Sequence, residues 1–504
     1  MKKSIRIMSM LLMLLMLVTT VSLVSCSNKT DDGETTTTAA GVDDQTTAKP
    51  ESKYDIGDNI PETLKYGGET IPIVSRSNKW VVDEVTVENN DGGLINSAVV
   101  KRNKIVEERL GVKIENTLVD GNNYAISDLI RNQAQTDHLY DIFVNSVYST
   151  IMYTAENHFA NLKELQYLDL SRPYWSQGFN EAASIGDKQY FVTGAASLST
   201  YRFIFVTFFN SDMFKTIPEI PSLYDTVNAH QWTIDYQMEI ASKFWKDMDD
   251  NPLTSEGDIC GLVSNANEIS VDPYWSAFKL PILTKDADNY LVYSLDIERT
   301  VSAVEKMQQL FWNTDGVCSI PHMTGDGEQE VIAKKFSENT AAMCTLRIIE
   351  TEGEYLRGMK EVYGIVPIPM LNADQDDYCS YAHDQMTAWG IANDTPEDRR
   401  EMLGAFLEAM ASESYRNVTP AYYEVALKNK YAKDPTSWQM LDIVTEKLYI
   451  DPGVLYTKQI NSVHQQFRKI VGDKLGGVSS RFKTLGAATT KSVENLNKGL
   501  KALQ

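Results

Sequence analysis

The feature that most constrains the fold is a regular alternation of strand-like and helix-like stretches in residues 66–148. Three short apolar runs predict strands: Glu69–Val74, Val112–Leu118 and Tyr140–Val144. Between them, stretches 95–110 and 126–133 carry apolar residues at helical spacing. This order predicts an α/β fold with a mostly parallel sheet and helices on both faces. Ligands of such sheets bind at the carboxyl ends of the strands, so the loops after the first and third strands should border a cleft.

The chain beyond residue 200 repeats this mixture with longer segments. Further strands are predicted at 204–210, 341–346 and 363–368, and amphipathic helices at 233–243 and 297–311. After Pro396 helical patterns dominate to the end. The chain from about Tyr66 onward is long enough for two sizeable domains.

The N-terminus has the order of parts found in an exported lipoprotein. Three basic residues within the first six precede an apolar run that ends in Leu23-Val24-Ser25-Cys26. This ending resembles a bacterial lipobox, in which the cysteine thiol receives the lipid. Residues 1–26 are therefore predicted to be a signal peptide, with Cys26 as the lipid-attachment site. Residues 27–65, rich in Thr, Ser, Asp and Gly, are predicted to be a disordered tether.

Charge and metal-binding patterns exclude several functions. The net charge is −22, from 47 basic and 69 acidic residues, which argues against nucleic-acid binding. The six histidines show no metal spacing. Asp247, Asp249 and Asn251 alternate as in a calcium loop, but Pro252 replaces the glycine that such a loop needs. No cofactor and no metal are expected.

Cysteine use is sparse. Besides Cys26, the sequence contains Cys260, Cys318, Cys344 and Cys379, with no C-x-x-C pair. Buried free thiols are the default expectation, and the alternative of one disulfide bond is left open.

Several sequence blocks, taken in order, resemble one family. They are Leu223-Tyr224-Asp225 followed by Gln231-Trp232-Thr233-Ile234-Asp235, the F-x-x-x-x-A-A-M pattern of Phe336–Met343, the run Tyr363–Pro369, and Tyr140-Asp141-Ile142 before a polar loop. The series is similar to that of the extracellular solute-binding proteins of carbohydrate ABC transporters, the maltose-binding-protein-like group.

The resemblance implies a two-lobed periplasmic-binding-protein-like fold of type II, each lobe a mixed sheet flanked by helices. Lobe 1 would comprise residues 66–200 plus 384–432, and lobe 2 residues 201–383 plus 433–504. The crossovers would lie near Ser197–Phe203 and His383–Trp389, with the ligand between the lobes.

Sugar binding requires aromatic rings that stack on sugar faces and polar groups that bond to hydroxyls. Asp272-Pro273-Tyr274-Trp275 offers both and resembles the acidic-Pro-aromatic segment of maltose-type binders, although buried core aromatics in a structural turn would give the same pattern. Arg347 stands where many members of the family have a tryptophan, which favours an acidic or highly hydroxylated ligand. The expected ligand-binding residues are Trp80, Asn145, Ser146, Tyr148, Ser197, Asp272, Tyr274, Trp275, Arg347 and Asp384.

The predicted protein is not an enzyme. It is a monomeric lipoprotein, anchored at the extracellular face of the cell membrane, that captures a carbohydrate, expected to be an oligosaccharide, and delivers it to the permease subunits of an ABC importer. Two alternatives stay open: an oligopeptide-binding lipoprotein, and a surface enzyme that processes glycosides.

Overall fold

The computed structural model describes residues 52–88, 92–120, 124–251, 253–266, 268–320, 327–423 and 435–503. The predicted signal peptide with Cys26, and residues 27–51 of the predicted tether, lie outside the described residues.

The remainder of the predicted tether, residues 52–65, is folded, so the prediction was wrong there. Tyr54 and Ile60 are buried. Arg109 Nη1 and Nη2 donate hydrogen bonds to the two Asp58 oxygens at 2.6 and 2.5 Å. The composition of the segment is mostly polar, but its few apolar side chains are enough to hold it against the rest of the protein.

The described residues form two larger sheets and one small hairpin. The strands are β1 (Glu69–Arg76), β2 (Val112–Val119), β3 (Ile142–Ser146), β4 (Phe205–Asn210), β5 (Cys260–Asn265), β6 (Leu283–Lys285), β7 (Leu291–Tyr293), β8 (Val317–Ile320), β9 (Ala341–Arg347), β10 (Tyr363–Val366) and β11 (Thr387–Ile391). The first sheet has the order β11-β3-β1-β2, the second has the order β10-β4-β9-β5-β8, and β6 pairs with β7.

Both larger sheets are mixed. In the first, β1 is parallel to β2 and β3, and only β11 is antiparallel to its neighbour β3. In the second, β5 is parallel to β8 and β9, while β4 is antiparallel to β9 and β10. The predicted mostly parallel first sheet is confirmed, because the helical connections between β1, β2 and β3 are long enough for parallel crossovers.

Helices flank the two sheets. The helices of eight or more residues are Leu94–Leu110, Ala125–Gln133, Ile234–Phe244, Glu268–Ala277, Ile297–Asn313, Gly327–Ser337, Glu397–Glu413, Pro435–Glu446, Val463–Gly472 and Val478–Ala502. Shorter helices are Val147–Thr150, Gln177–Ala183, Ser199–Arg202, Ser211–Phe214, Leu223–Asn228, Glu354–Gly358 and Pro452–Leu455.

Local chemistry sets several of these boundaries. The Thr233 and Asp296 side chains accept hydrogen bonds from backbone N–H groups three residues later and so cap the helices that begin at Ile234 and Ile297. Gly111 ends the helix Leu94–Leu110 at a φ of 63°, a left-handed conformation that favours glycine. The helices predicted from spacing alone are therefore confirmed to within one or two residues.

Two chain segments pass between the sheets and run side by side. Phe205 N–H donates to Tyr381 O, and His383 N–H donates to Phe203 O, both at 2.9 Å. These segments, called the crossovers below, enter and leave each sheet at the end where β4 and β11 begin. The arrangement is two mixed sheets with flanking helices, joined by paired crossovers.

The four cysteines that the structure describes, Cys260, Cys318, Cys344 and Cys379, are free and buried. No helix in the described residues is both long enough and apolar enough to cross a bilayer.

Candidate functional site

The ends of strands from both sheets meet the crossovers, and the region between them is called the cleft below. Tyr148 lies in the short helix Val147–Thr150 that follows β3, and its backbone N–H donates to Asp384 O of the second crossover at 2.8 Å. Arg347 is the last residue of β9 in the other sheet. The cleft so defined lies at the carboxyl ends of strands, where ligands of such sheets bind.

Two tyrosine rings and a lysine of the C-terminal segment meet at the cleft. Tyr124 and Tyr148 make an edge-to-face contact with ring centroids 6.4 Å apart. The Lys458 ammonium lies 4.3 and 4.1 Å from the two ring centroids and donates to the Tyr124 hydroxyl at 2.8 Å. Burial and the Tyr124 hydroxyl raise the pKa of Tyr148 to about 12, so its phenol stays protonated near neutral pH. Tyr124 is 39% exposed, which leaves an aromatic surface open to solvent.

A buried ion pair involves another residue of the C-terminal segment. Arg468 Nε donates to Asp272 Oδ1 at 2.5 Å, and Arg468 Nη2 binds Asp272 Oδ2. His464 Nε2 is 3.4 Å from Asp272 Oδ1. Burial, followed by the charge of Arg468, holds the pKa of His464 well below its usual value of 6.5. His464 is therefore neutral at physiological pH.

A pocket of about 320 Å³ lies beside Trp80. It is lined by Lys79, Trp80, Gln329, Glu330, Ala333, Glu350, Gly353, Glu354 and Tyr355. Trp80 comes from the loop after β1, and the residues from Glu350 to Tyr355 follow β9 in the other sheet. The pocket therefore lies between the two sheets, and one face of the half-buried Trp80 ring is covered by the Lys79 ammonium at 4.3 Å.

Arg202 on the first crossover holds the two walls of this pocket together. Its Nη1 and Nη2 donate to Asp83 at 2.7 and 2.9 Å, while its Nε and Nη2 donate to Glu352 at 3.0 and 3.2 Å. Its side chain is only 5% exposed. One guanidinium therefore links the loop after β1 to the turn after β9.

Two predicted stacking residues are core residues instead. Tyr274 and Trp275 lie inside the helix Glu268–Ala277, not in a loop, and both are fully buried. The Tyr274 hydroxyl donates to Gln237 at 2.8 Å, and the Trp275 ring packs on Phe467 with centroids 4.6 Å apart. The alternative left open above, core aromatics, is the one observed. Asp272 of the same helix is fully buried and paired with Arg468, so it fixes the position of the Arg468 side chain.

Three polar residues predicted to bind ligand are also internal. Asn145, Ser146 and Ser197 are fully buried. Asn145 Nδ2 and Ser146 Oγ bond to Ser149 Oγ at 3.1 and 2.6 Å, and Ser197 Oγ accepts from Trp389 Nε1 at 2.9 Å. They fix the turn after β3 and the first crossover, because a polar side chain that is buried in a tight turn bonds to its neighbours.

The other predicted residues lie after strand β1 or β3, at the end of β9, or on the second crossover. Trp80 and Tyr148 are half-buried, and Asp384 is 8% exposed beside His383. Arg347 donates to Glu350 at 2.8 Å and lies 5.4 Å from the Phe203 ring centroid. Their role in ligand binding stays a prediction.

Sequence reasoning missed three cleft residues, Tyr124, Lys458 and Arg468. Tyr124 follows β2, so the rule that selected Tyr148 after β3 would have found it too. Lys458 and Arg468 come from the C-terminal helical region and lie 334 and 196 residues in sequence from their partners Tyr124 and Asp272. No local pattern marks them.

One acidic cluster lies outside the cleft. Carboxylate oxygens of Asp247, Asp249 and Asp258 lie within 4.8 Å of one another. Asp258 already accepts hydrogen bonds from Trp245 Nε1 and from two backbone N–H groups. The Asp258 carboxylate is therefore already held by the surrounding loop, and Pro252 lies outside the described residues.

Comparison with known proteins identifies the fold. No protein-family model matches the sequence, and a search of curated proteins found no match. Solved structures do match. The galacto-N-biose-/lacto-N-biose I-binding protein of an ABC transporter from Bifidobacterium longum is similar with a TM-score of 0.55 and 12% identity, over 86% of this chain and 98% of that one.

The maltose-binding periplasmic protein from Listeria monocytogenes is similar with a TM-score of 0.52 and 11% identity, over 86% of this chain and 99% of that one. An ABC substrate-binding protein from Listeria monocytogenes, solved with cycloalternan, is similar with a TM-score of 0.50 and 14% identity, over 86% and 99%. This chain has the two-lobed fold of these binding proteins. The sheet with β1 belongs to one lobe, the sheet with β4 to the other, and the cleft lies between the lobes.

Proposed function

We propose that this protein is a solute-binding lipoprotein that captures a carbohydrate in the interlobe cleft and delivers it to an ABC importer. The observation that carries the proposal is the cleft itself. It presents Trp80, Tyr124 and Tyr148 as half-buried or exposed rings, with charged side chains beside them. Rings that stack on sugar C–H faces, together with fixed hydrogen-bonding groups, are what oligosaccharide recognition requires.

The similar proteins support the same class of ligand. Their names and bound molecules are lacto-N-biose, maltose and cycloalternan, all carbohydrates, and they are binding proteins of ABC transporters or periplasmic binding proteins. We infer that the present chain binds without turnover. Residues 66–200 plus 384–432 and residues 201–383 plus 433–504 are proposed as the two lobes that close on the ligand.

Anchoring is the second part of the proposal. The Leu23–Cys26 sequence supports lipid attachment at Cys26, which would hold the folded part at the extracellular face of the membrane, next to the permease. Cys26→Ala should release the protein from the membrane fraction or stall its processing. Normal cleavage with unchanged membrane retention would contradict the anchor.

The function is tested by a ligand screen on the folded part of the chain. Oligosaccharides and oligopeptides of two to six units are added separately, and the melting temperature and the radius of gyration are measured. A sugar that binds the native closed state raises the first and lowers the second. A response to peptides alone would overturn the sugar assignment in favour of an oligopeptide binder, and hydrolysis products from a bound sugar would reveal an enzyme.

A matched pair of variants locates the response. Tyr148→Ala should abolish most of the ligand-induced shift, since its ring lies in the cleft. Tyr290→Ala is the control, because Tyr290 also carries a lysine over its ring, Lys501 at 4.1 Å, but lies beside β7 outside the cleft. Equal loss of ligand response in both variants would mean that the site is elsewhere.

A further inference from the structure

The charge of Lys458 is partnered by neutral groups alone in the described residues. Its ammonium contacts the rings of Tyr124 and Tyr148, donates to the Tyr124 hydroxyl, and lies 3.6 Å from Met152 Sδ. No carboxylate that the structure describes lies within 4.0 Å of it. An ammonium has three donors, and a thioether sulfur is a weak acceptor. Lys458 therefore keeps donor capacity for a further acceptor in the cleft.

The arginines of the cleft differ from Lys458 in this respect. Arg468 binds Asp272 through two nitrogens, and Arg347 binds Glu350 at 2.8 Å. Asp384, the carboxylate of the second crossover, faces His383 at 3.3 Å. The Asp272 and Glu350 carboxylates are thus directed at arginines, whereas the positive charge of Lys458 is held over aromatic rings.

Lys458 also lies over the rings on which a sugar would stack under the proposed function. Tyr124 is the more exposed of the two rings, so a sugar ring that stacks on it must push the Lys458 ammonium toward the edge of the sugar. A carboxylate at that edge would accept a charge-assisted hydrogen bond, which is stronger than one to a neutral hydroxyl. A neutral sugar would displace the ammonium from the rings and offer no charge-assisted hydrogen bond in exchange.

We propose that the cleft selects an acidic carbohydrate, an oligosaccharide that carries a uronic-acid carboxylate, and that Lys458 pairs with this carboxylate. The inference rests on the proposed function and specifies its substrate class. It assigns Lys458 as the residue that distinguishes acidic from neutral sugars, with Tyr124 and Tyr148 as the stacking platform.

The test measures selectivity with matched ligands. Oligomers of glucuronic, galacturonic and mannuronic acid are compared by calorimetric titration with glucose, galactose and mannose oligomers of the same length and linkage. One acidic member should bind at least about tenfold more tightly than its neutral partner, a margin that shrinks as salt is raised. Lys458→Gln should reduce the margin to about twofold or less, and Lys458→Arg should restore part of it.

Lys474→Gln is the matched control. The Lys474 ammonium lies 4.1 Å from the Trp312 ring centroid, which is the same kind of contact outside the cleft. Removing the Lys474 charge should leave the preference for the acidic sugar unchanged. Tighter binding of a neutral member, or an acidic preference that survives Lys458→Gln in a variant of unchanged melting temperature, overturns this inference and leaves the proposed function standing. If no sugar of either kind binds, both are overturned.

Discussion

Two pairs of aromatic residues in this protein lie near a charged group, yet they do different things. Tyr274 and Trp275 are fully buried inside a helix behind the Asp272–Arg468 ion pair. Tyr124 and Tyr148 lie at the cleft, under Lys458. The two pairs differ in depth and not in residue type, so we expect the buried pair to stabilise the fold and the other pair to contact ligand under the proposed function.

The sharpest test of this comparison is the loss of one ring from each pair. Trp275→Ala should lower the free energy of unfolding by about 3–5 kcal/mol, because it removes a large ring from a packed core. Tyr148→Ala should cost about 1 kcal/mol or less, since its ring is only partly buried. Chemical denaturation measures both. Equal losses would show that the two pairs do not differ in depth as described.

The ion pair behind the cleft gives the next largest effect. Arg468→Met leaves the fully buried Asp272 carboxylate without its cation and should destabilise the fold by about 3 kcal/mol. Adding Asp272→Leu should recover much of the loss, because a buried pair replaced by apolar groups of similar size is often neutral. A double-mutant cycle in unfolding free energy measures the coupling. Additive losses would mean that the pair does not act as a unit.

The smallest expected effect is a pH dependence of the unfolding free energy that comes from the buried His464. Burial and Arg468 keep the pKa of His464 well below 6.5 in the folded protein. Below pH 6.5 the unfolded chain therefore takes up a proton that the folded chain does not, and stability present above this pH is lost as the pH falls. At about pH 5.5, the loss of unfolding free energy that is due to His464 is about 1 kcal/mol.

His464→Gln should remove that loss, and denaturant unfolding at a series of pH values checks it. His383 on the second crossover has a lowered pKa for the same reasons, burial first and then the Arg347 and Arg468 charges, so a residual slope should remain. An unchanged slope in His464→Gln would show that this imidazole does not stay neutral in the folded state.

The fold was predictable because its signals are local. The strands β1 to β4 and the helices that begin at Ile234 and Ile297 follow from apolar spacing within one segment. Ligands of such sheets bind at the carboxyl ends of the strands, and this rule depends on topology alone. It selects Trp80 and Tyr148, which follow β1 and β3.

Burial at the site was not predictable in the same way. Asp-Pro-Tyr-Trp is compatible with an exposed loop or a buried helix, and its packing on Phe467, nearly 200 residues later, decides between them. Lys458 and Arg468 are likewise remote in sequence from their partners Tyr124 and Asp272. Contacts between residues so far apart in sequence leave no periodic pattern in a single sequence.

The bridge made by Arg202 bears on how long a ligand would stay bound. Its guanidinium holds Asp83 of one lobe and Glu352 of the other, and only 5% of its side chain is exposed. If lobe opening moves Asp83 away from Glu352, it breaks one of these ion pairs in a region that salt screens poorly. That separation adds to the barrier for escape and not to the encounter, so it slows dissociation and lengthens residence time. Under the proposed function, breaking this contact would be one step in the release of the ligand.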